Sequence, residues 1–541
     1  MPTAWTIGNN NSVIGLLHPD GVYDDAKGGN FRKMLYRRLR LHYQFINQRK
    51  LFPIGNTRPY SINIYAVDNA PEFDSIFYLF EPKTVDECYE IDNNPQTLNG
   101  IKDSNGDWNV YGDRSRLIHI TEQSLKSYVG LLDDEKDWQK VRMPMLFSSE
   151  ISKAVDAINK ADNCINDVEK RICYTEMFTE PKSGNSYVSL KSSFPESIDE
   201  LLLCGPNIGI SNPFFKTPKR VCDTQKAFDV IDLVYKESNY LPRGKYVFSA
   251  DKAEILDAIE KDDDGQRLTN FYRIASRKMI DKNTERTLIS CIIPPEICHM
   301  DSLYSILIHN KTDLVLVQST FSSLISDFLV KMSGKSNLRL DILGYLPFSR
   351  NFKNQRVLRT LLLNCVDQSF ADLWCACWKD EFLMDEWGME SSYLDAYRFS
   401  SLSGQWNEKY FCRTEYERRQ LLIENDVLNA IAIGLTLDEL IAIYRLYFPV
   451  LRQYEDDTWY DSKGRIVFTN NRSLSGVGVN RSEWETICNR KEGDKYTHTI
   501  EDDTIIDGPI ERQITYYPPF RKYNREEDYS IVWANFEKRF K

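Results

Sequence analysis

The stretch that most constrains this chain is the run from Ser12 to Tyr65, which sets out a strand, a helix and two more strands, too few to close a sheet. Ser12-Val13-Ile14-Gly15-Leu16-Leu17-His18-Pro19-Asp20-Gly21 reads as a buried strand running into a loop. After Lys27-Gly28-Gly29, a basic amphipathic segment from Phe31 to Phe45 puts Leu35, Leu39 and Tyr43 at i, i+4 and i+8, the spacing of a helix packed on a sheet. Strands are predicted at Ile46–Phe52 and Tyr60–Tyr65. This order is the end of an α/β domain, because a doubly wound sheet needs more parallel strands. A small α+β domain that begins here is the alternative.

Farther on, residues 81–120 are polar and rich in Asp, Asn and Gly, and predict an excursion; Met145 to Cys173 predicts a helical connector. Ile198 to Phe348 is mixed. Leu288–Ile293 is a strand stopped by Pro294-Pro295, Leu314–Val317 a second strand, and Phe321–Met332 a helix. Glu415 to Phe448 is strongly helical, and Thr436-Leu437-Asp438-Glu439 fits a capping box, in which hydroxyl and carboxylate satisfy free N–H groups at a helix start. Strands at Arg465–Phe468 and Glu511–Tyr516 precede a closing helix at Glu526–Phe540. At 541 residues the chain exceeds one ordinary core. We expect units at 1–135, 136–400 and 401–541.

Hydrophobic residues at 42% and aromatics at 12% describe a globular chain. The net charge of -11 argues against a broad phosphate-binding coat, yet leaves room for a local basic cleft. The 12 Cys include no C-x-x-C pair, and the six His are dispersed, so no metal site is expected. Cys375 and Cys377, in an apolar run, read as buried reduced thiols. Without a signal peptide or a spanning apolar stretch, a reducing cytoplasm and no membrane are expected. P-loop and Gly-x-Ser-x-Gly signatures are absent.

Three groups could carry chemistry. Ser211-Asn212-Pro213-Phe214-Phe215 resembles the Asn-Pro-Pro-aromatic signature of amino-group methylation, in which Asn accepts hydrogen bonds from the target amine and the ring stacks on a flipped base. Here Phe214 replaces the second Pro, and Cys204 to Gly209 leaves no room for a cofactor fold before it, so Asn212, Pro213, Phe214 and Phe215 also fit a packing turn. Around Phe271 to Thr287, Arg273, Arg277, Arg286 and Thr287 suit contacts to phosphates and base edges, or a solvated face. Lys335, Asn337 and Arg339, with Lys331, form a second polar-basic group that suits phosphates or a helix cap.

Taken in order, these segments resemble the C-terminal half of large adenine-specific DNA methyltransferases of type IIG restriction–modification and of BREX and DISARM-like phage defence. Gly15 to Asp25 resembles the family's strand and loop after its catalytic motif. Phe45-Ile46-Asn47 with Leu51-Phe52, then Tyr60–Tyr65, resemble its last sheet strands. Arg277–Ile280 with Glu285–Pro295 resembles its recognition-domain strand, and Ser322–Phe328 with Leu338–Leu340 and Leu346-Pro347 its recognition-domain helix and exit. Asn212 to Pro218 resembles a family segment inside that domain. The resemblance covers roughly residue 10 to the end.

The resemblance implies an α/β plus α+β fold: a partial Rossmann-like methyltransferase sheet edge, a mixed target-recognition domain, and a helical C-terminal region with small strands. The family's S-adenosylmethionine loop and catalytic Asn-Pro-Pro-aromatic would precede residue 1, and Met1 shortly before Trp5 suggests a separately started gene. We therefore expect no catalytic residue in this chain. S-adenosylmethionine would be bound in the assembled enzyme and not by this chain alone. The implied partners are double-stranded DNA, a chain carrying the catalytic half, and other defence-system subunits. The function implied is the specificity part of a split methyltransferase. A non-catalytic subunit directing a helicase or nuclease, and a self-sufficient enzyme using Asn212 to Phe215, are the alternatives.

Overall fold

The first region does run strand, helix, strand, strand, but its second strand falls within the span expected as helix, and no strand covers residues 47–52. In the computed structural model, which describes every residue except 10, 57, 104–105, 162, 181–186, 223, 225–226, 282–283, 334, 472–473, 475 and 541, β1 is Ile14–Pro19, α1 Gly29–Tyr36, β2 Leu39–Ile46 and β3 Pro59–Tyr65. With β4 (Glu72–Leu79) and β5 (Ile118–Thr121) they form one sheet of order β1-β3-β2-β4-β5. β3 runs antiparallel to both β1 and β2, β4 is parallel to β2, and β5 is antiparallel to β4.

Two expectations for this region are corrected. The helix expected to reach Phe45 ends at Tyr36, and Leu39 and Tyr43 lie in β2. A spacing of four is close to one helical turn and equal to two strand repeats, so it fits either element. β1, expected to be buried, is an edge strand whose residues alternate between half-buried and exposed. Leu17 is 52% exposed, and among the described residues no strand pairs with the outer edge of β1.

Polar groups buried behind β1 fix its exit. The Asp20 carboxylate lies 3.0 Å from His42 Nε2 and accepts from Gln44 Nε2 at 2.5 Å, and His42 Nδ1 meets Ser75 Oγ at 2.8 Å. Burial raises the Asp20 pKa, but the bonds to His42 and Gln44 outweigh it and hold the group below its ordinary value. A satisfied network of this kind specifies one register of β1 on β2 and β3.

The polar excursion after β4 carries α2 (Lys83–Glu90), and the expected connector holds α3 (Ser149–Ile158) and a 3-10 turn at Ile165–Asp167. A second sheet, of order β8-β7-β9-β6 and antiparallel throughout, joins β6 (Cys173–Thr175), β7 (Arg273–Arg277), β8 (Ser290–Ile293) and β9 (Leu303–Leu307). Leu314–Val317, expected as a strand, is helical within α4 (Lys311–Ser322). Asn310 caps that helix at the Asp313 N–H, and Leu314 to Ser322 are all buried. An apolar run shows no amphipathic period when every face of the helix is covered. The helix expected over Phe321–Met332 breaks at Ser323, whose hydroxyl caps α5 (Leu324–Met332). Against α4 and α5 pack α6 (Lys353–Asn364), α7 (Glu415–Ala432) and α8 (Leu437–Tyr447), followed by α9 (Pro449–Asp456) and the closing α10 (Arg525–Phe540).

The Thr436–Glu439 capping box is present, and Thr414 with Glu417 makes another at the start of α7. One apolar cluster runs from Tyr23 to Phe536, while Val467, Phe468, Trp484, Ile514 and Phe520 belong to a separate core under the ribbon of β10 (Tyr496–Asp502) and β11 (Ile510–Tyr516). All 12 cysteines are free; Cys377 is buried, but Cys375 is exposed, since residues two apart on a helix face different ways. No single helix among the described residues is long and apolar enough to cross a membrane.

Glu415, in the first turn of α7, gives the fold a pH dependence. Burial pushes its carboxyl from the usual 4.5 up to about 7, against the pull of Arg465. The folded state therefore holds a proton that the unfolded chain gives up, and the associated stability is complete below pH 4.5 and lost as pH rises through about 7. We expect Glu415→Gln, which cannot ionise, to gain on the native protein in thermal midpoint between pH 5 and pH 8. Equal midpoints across that range would exclude this role.

Candidate functional site

Open α/β sheets place ligands beyond the carboxyl ends of their strands. In this sheet β1, β2 and β4 end on the same side, and there lies a cavity of about 1120 Å³. Its walls come from the end of β1 (His18, Pro19), the segment joining β2 to β3 (Phe52 to Gly55), the end of β4 (Tyr78), the excursion (Ile101, Lys102, Trp108) and the start of α9 (Pro449). Lys331 from α5 and Tyr447 from α8 line it as well, so the sheet and the helical region share the cavity.

Local structure explains the aromatic lining. The strand expected over Ile46–Phe52 does not form: Ile46 is the last residue of β2, a 3-10 turn follows at Asn47–Arg49, and the described residues from 50 to 58 form a loop. Asn47, fully buried, organises it: Nδ2 donates to the carbonyls of Phe52 and Ile54, each at 2.9 Å, and Oδ1 accepts the Phe52 N–H at 3.1 Å. The Phe52 ring stands edge-on to Tyr60, with centroids 4.9 Å apart, and Tyr60 stacks on Phe45. Phe52 remains 37% exposed in a loop whose backbone is pinned. Tyr78 has φ of 55°, the left-handed region that costs a bulky residue about 1–3 kcal/mol. Arg116, buried below it, donates to the carbonyls of Phe77 and Tyr78 and holds that turn. Trp108 stacks on Phe80, with centroids 4.8 Å apart. His18 Nε2 meets Tyr65 Oη at 2.9 Å, and burial lowers its pKa.

The residues expected to contact DNA fall into two sets. Arg273 and Arg286 are interior. Arg273, in β7, donates to the Ile297 carbonyl, and burial lowers its pKa to about 10. Arg286 pairs with the buried Asp327 at 2.6 Å and donates to the Ser322 carbonyl, and the Thr287 N–H bonds the same carboxylate. In this conformation neither guanidinium reaches a duplex. Arg277 is half-buried, donates to the Ile208 carbonyl at 2.6 Å, and has its pKa lowered by burial. Lys335 and Arg339 line a second cleft, each already in an ion pair: Lys335 with Asp341 at 3.1 Å, Arg339 with Glu176 at 2.8 Å. Asn337 is exposed and bridges Met279.

Asn212 to Phe215 form a packed turn. Asn212 Oδ1 accepts the Phe214 N–H at 3.2 Å, the Asn212 carbonyl accepts from Gly209, and Phe214 is fully buried. The Phe215 ring lies so close to Gly209 that a side-chain carbon there would sit 2.9 Å from it. With the Asn212 carboxamide oxygen engaged by Phe214 and the Phe214 ring in the core, this turn has no open face for a base.

Sequence reasoning missed the cavity. Gln48-Arg49-Lys50-Leu51-Phe52-Pro53-Ile54-Gly55 was its one local signal: large apolar residues between basic ones and turn formers, where a surface loop ordinarily carries few.

No protein-family profile matches the sequence, and no curated protein matches it. Among solved structures the chain is similar to the type IIG restriction endonuclease BpuSI, at 12% identity and a TM-score of 0.25, over 81% of this chain and 48% of that one. It is also similar to the type IIL restriction–modification enzyme MmeI in complex with DNA, at 7% identity and a TM-score of 0.36, over 82% of this chain and 50% of that one. The chain thus spans about half the length of each. No residue role is carried over from either.

Proposed function

We propose that this chain is the DNA-recognition part of an adenine-specific DNA methyltransferase of a restriction–modification or phage-defence system, acting with an S-adenosylmethionine-binding half supplied by another chain. The observation that carries this reading is the aromatic cavity at the carboxyl ends of a sheet whose β1 edge pairs with no further strand among the described residues. A base that undergoes chemistry must leave the duplex stack, and it is held between aromatic and apolar side chains. Phe52 offers such a surface, with Tyr78 and Trp108 in the same lining, and the open β1 edge lets further sheet strands dock beside it. Double-stranded DNA and the catalytic half are the partners on this reading, and the duplex would lie across residues from the sheet and the region 136–400.

The connection from β1 to α1 leaves no room for S-adenosylmethionine: Asp20 is bonded to His42 and Gln44, and Arg32 donates to the carbonyls of Val22, Asp25 and Lys140. No glycine-rich cradle opens there. We therefore expect calorimetry to show no saturable micromolar binding of S-adenosylmethionine by the isolated chain, and duplex binding to be retained. Saturable micromolar binding of the cofactor would sink the division of labour.

A further inference from the structure

We infer that the mouth of this cavity is a nucleotide-phosphate site, with Arg58 and Lys102 as the cations that hold the strand on either side of the nucleotide entering it. The inference rests on the DNA-recognition reading and gives it a location. A chain of net charge -11 repels a polyanion over most of its surface, so phosphate contacts must concentrate where cations outnumber acids. Of the cations expected for that role, Arg273 is buried, Arg277 donates to the Ile208 carbonyl, and three are in ion pairs: Arg286 with Asp327, Lys335 with Asp341, Arg339 with Glu176. A phosphate would have to break an ion pair at each. Arg58 and Lys102 form no ion pair among the described residues, and both line the cavity.

The backbone that carries each cation is held in place. The Arg58 carbonyl accepts the Asn47 N–H at 3.3 Å and closes the loop that carries Phe52, while its side chain is exposed. The Lys102 ammonium sits 5.0 Å from the Trp108 ring centre, and the two residues pair as a β-bridge. The Ile101 N–H bonds the Leu446 carbonyl at 3.2 Å. Gly100, at φ 78°, lies so close to Leu446 that only glycine fits, which fixes this segment against α8. The cations thus stand beside an aromatic interior, the combination that binds single nucleotides through backbone charge and base stacking.

Salt dependence tests the site without knowledge of the target sequence. Wild-type chain and variants are titrated with a duplex of unrelated sequence by fluorescence anisotropy at several salt concentrations. Each lost phosphate contact lowers the slope of log K against log salt by about 1. Arg58→Ala and Lys102→Ala should each lower the slope by about 1 and weaken binding several-fold, with Lys102→Arg restoring it. Lys491→Ala, at an exposed lysine outside the cavity, should leave the slope unchanged. If the wild type binds with a steep slope that neither Arg58→Ala nor Lys102→Ala alters, or that Lys491→Ala lowers equally, the site is wrong while DNA recognition stands. Absence of salt-dependent duplex binding by the wild type would remove the DNA-recognition reading, and this site with it.

Discussion

Arg286→Ala is expected to destabilise the fold by about 3–5 kcal/mol, the cost of leaving a buried charge without its partner. Arg286 is 3% exposed, its Nε lies 2.6 Å from Asp327 Oδ2, and its Nη2 donates to the Ser322 carbonyl at 2.8 Å. Truncation leaves the Asp327 carboxylate in the interior with the Thr287 N–H at 3.0 Å. Placement in the first turn of α5 gives that charge some relief from the helix dipole, at most about 1–2 kcal/mol in a partly buried site. Asp426, also buried, loses a stabilising charge with it. Urea unfolding of the whole chain reads the loss. Pairing Arg286→Met with Asp327→Leu should recover most of it, because apolar replacement of both partners removes the orphaned charge. Unchanged unfolding together with weaker duplex binding would return Arg286 to the DNA surface.

The burial of Arg286, which its sequence context did not suggest, shows where a sequence stops being legible. An Arg beside Thr, between basic residues, has the composition of a phosphate contact. Its burial depends on Asp327, 41 positions later, and on the helix break at Ser323 that points this carboxylate inward. Features that close locally were readable: the Thr436–Glu439 capping box, the strand ending before Pro294-Pro295, and the terminal helix. Where one spacing fits two periods, as at Leu35, Leu39 and Tyr43, or where burial on every face erases the period, as at Leu314–Val317, the tertiary structure decides. The cavity is the extreme case. Its walls come from Leu17 to Val450, and no window of sequence contains it.

The same redistribution changes how the acidic balance is understood. Many of the chain's arginines are internal, set against buried acids: Arg359 between Asp385 and Glu424, Arg419 between Glu455 and Asp528, Arg525 between Glu455 and Asp426. Arg419, Arg525, Glu455, Asp426 and Asp528 join α7, α9 and α10 through one network. Burial alone would raise the Glu455 pKa, but Arg525 and Arg419 bring it down to about 2. These cations are spent on the scaffold, so the basic residues that remain open at the cavity weigh more for a polyanion than their number suggests.

The cavity's own chemistry is tested most directly at Phe52. If the proposed function holds, Phe52→Ala should lower methyl transfer by the chain and its proposed catalytic partner about 5- to 150-fold, from the roughly 1–3 kcal/mol that stacking one base on an aromatic ring contributes. Duplex affinity should change little, since stacking acts on the nucleotide after the backbone is bound. The ring can be removed with little effect on the loop, because the backbone of Phe52 is held in both directions by Asn47. Phe52→Trp should retain activity, as any flat π face serves, and Phe52→Leu should fall between, keeping apolar contact without stacking. Loss of activity matched by an equal loss of thermal stability would assign Phe52 to packing against Tyr60. Full activity in both Phe52→Ala and Phe52→Leu would exclude Phe52 as the surface on which the base rests, and with it the strongest link between this cavity and a flipped nucleotide.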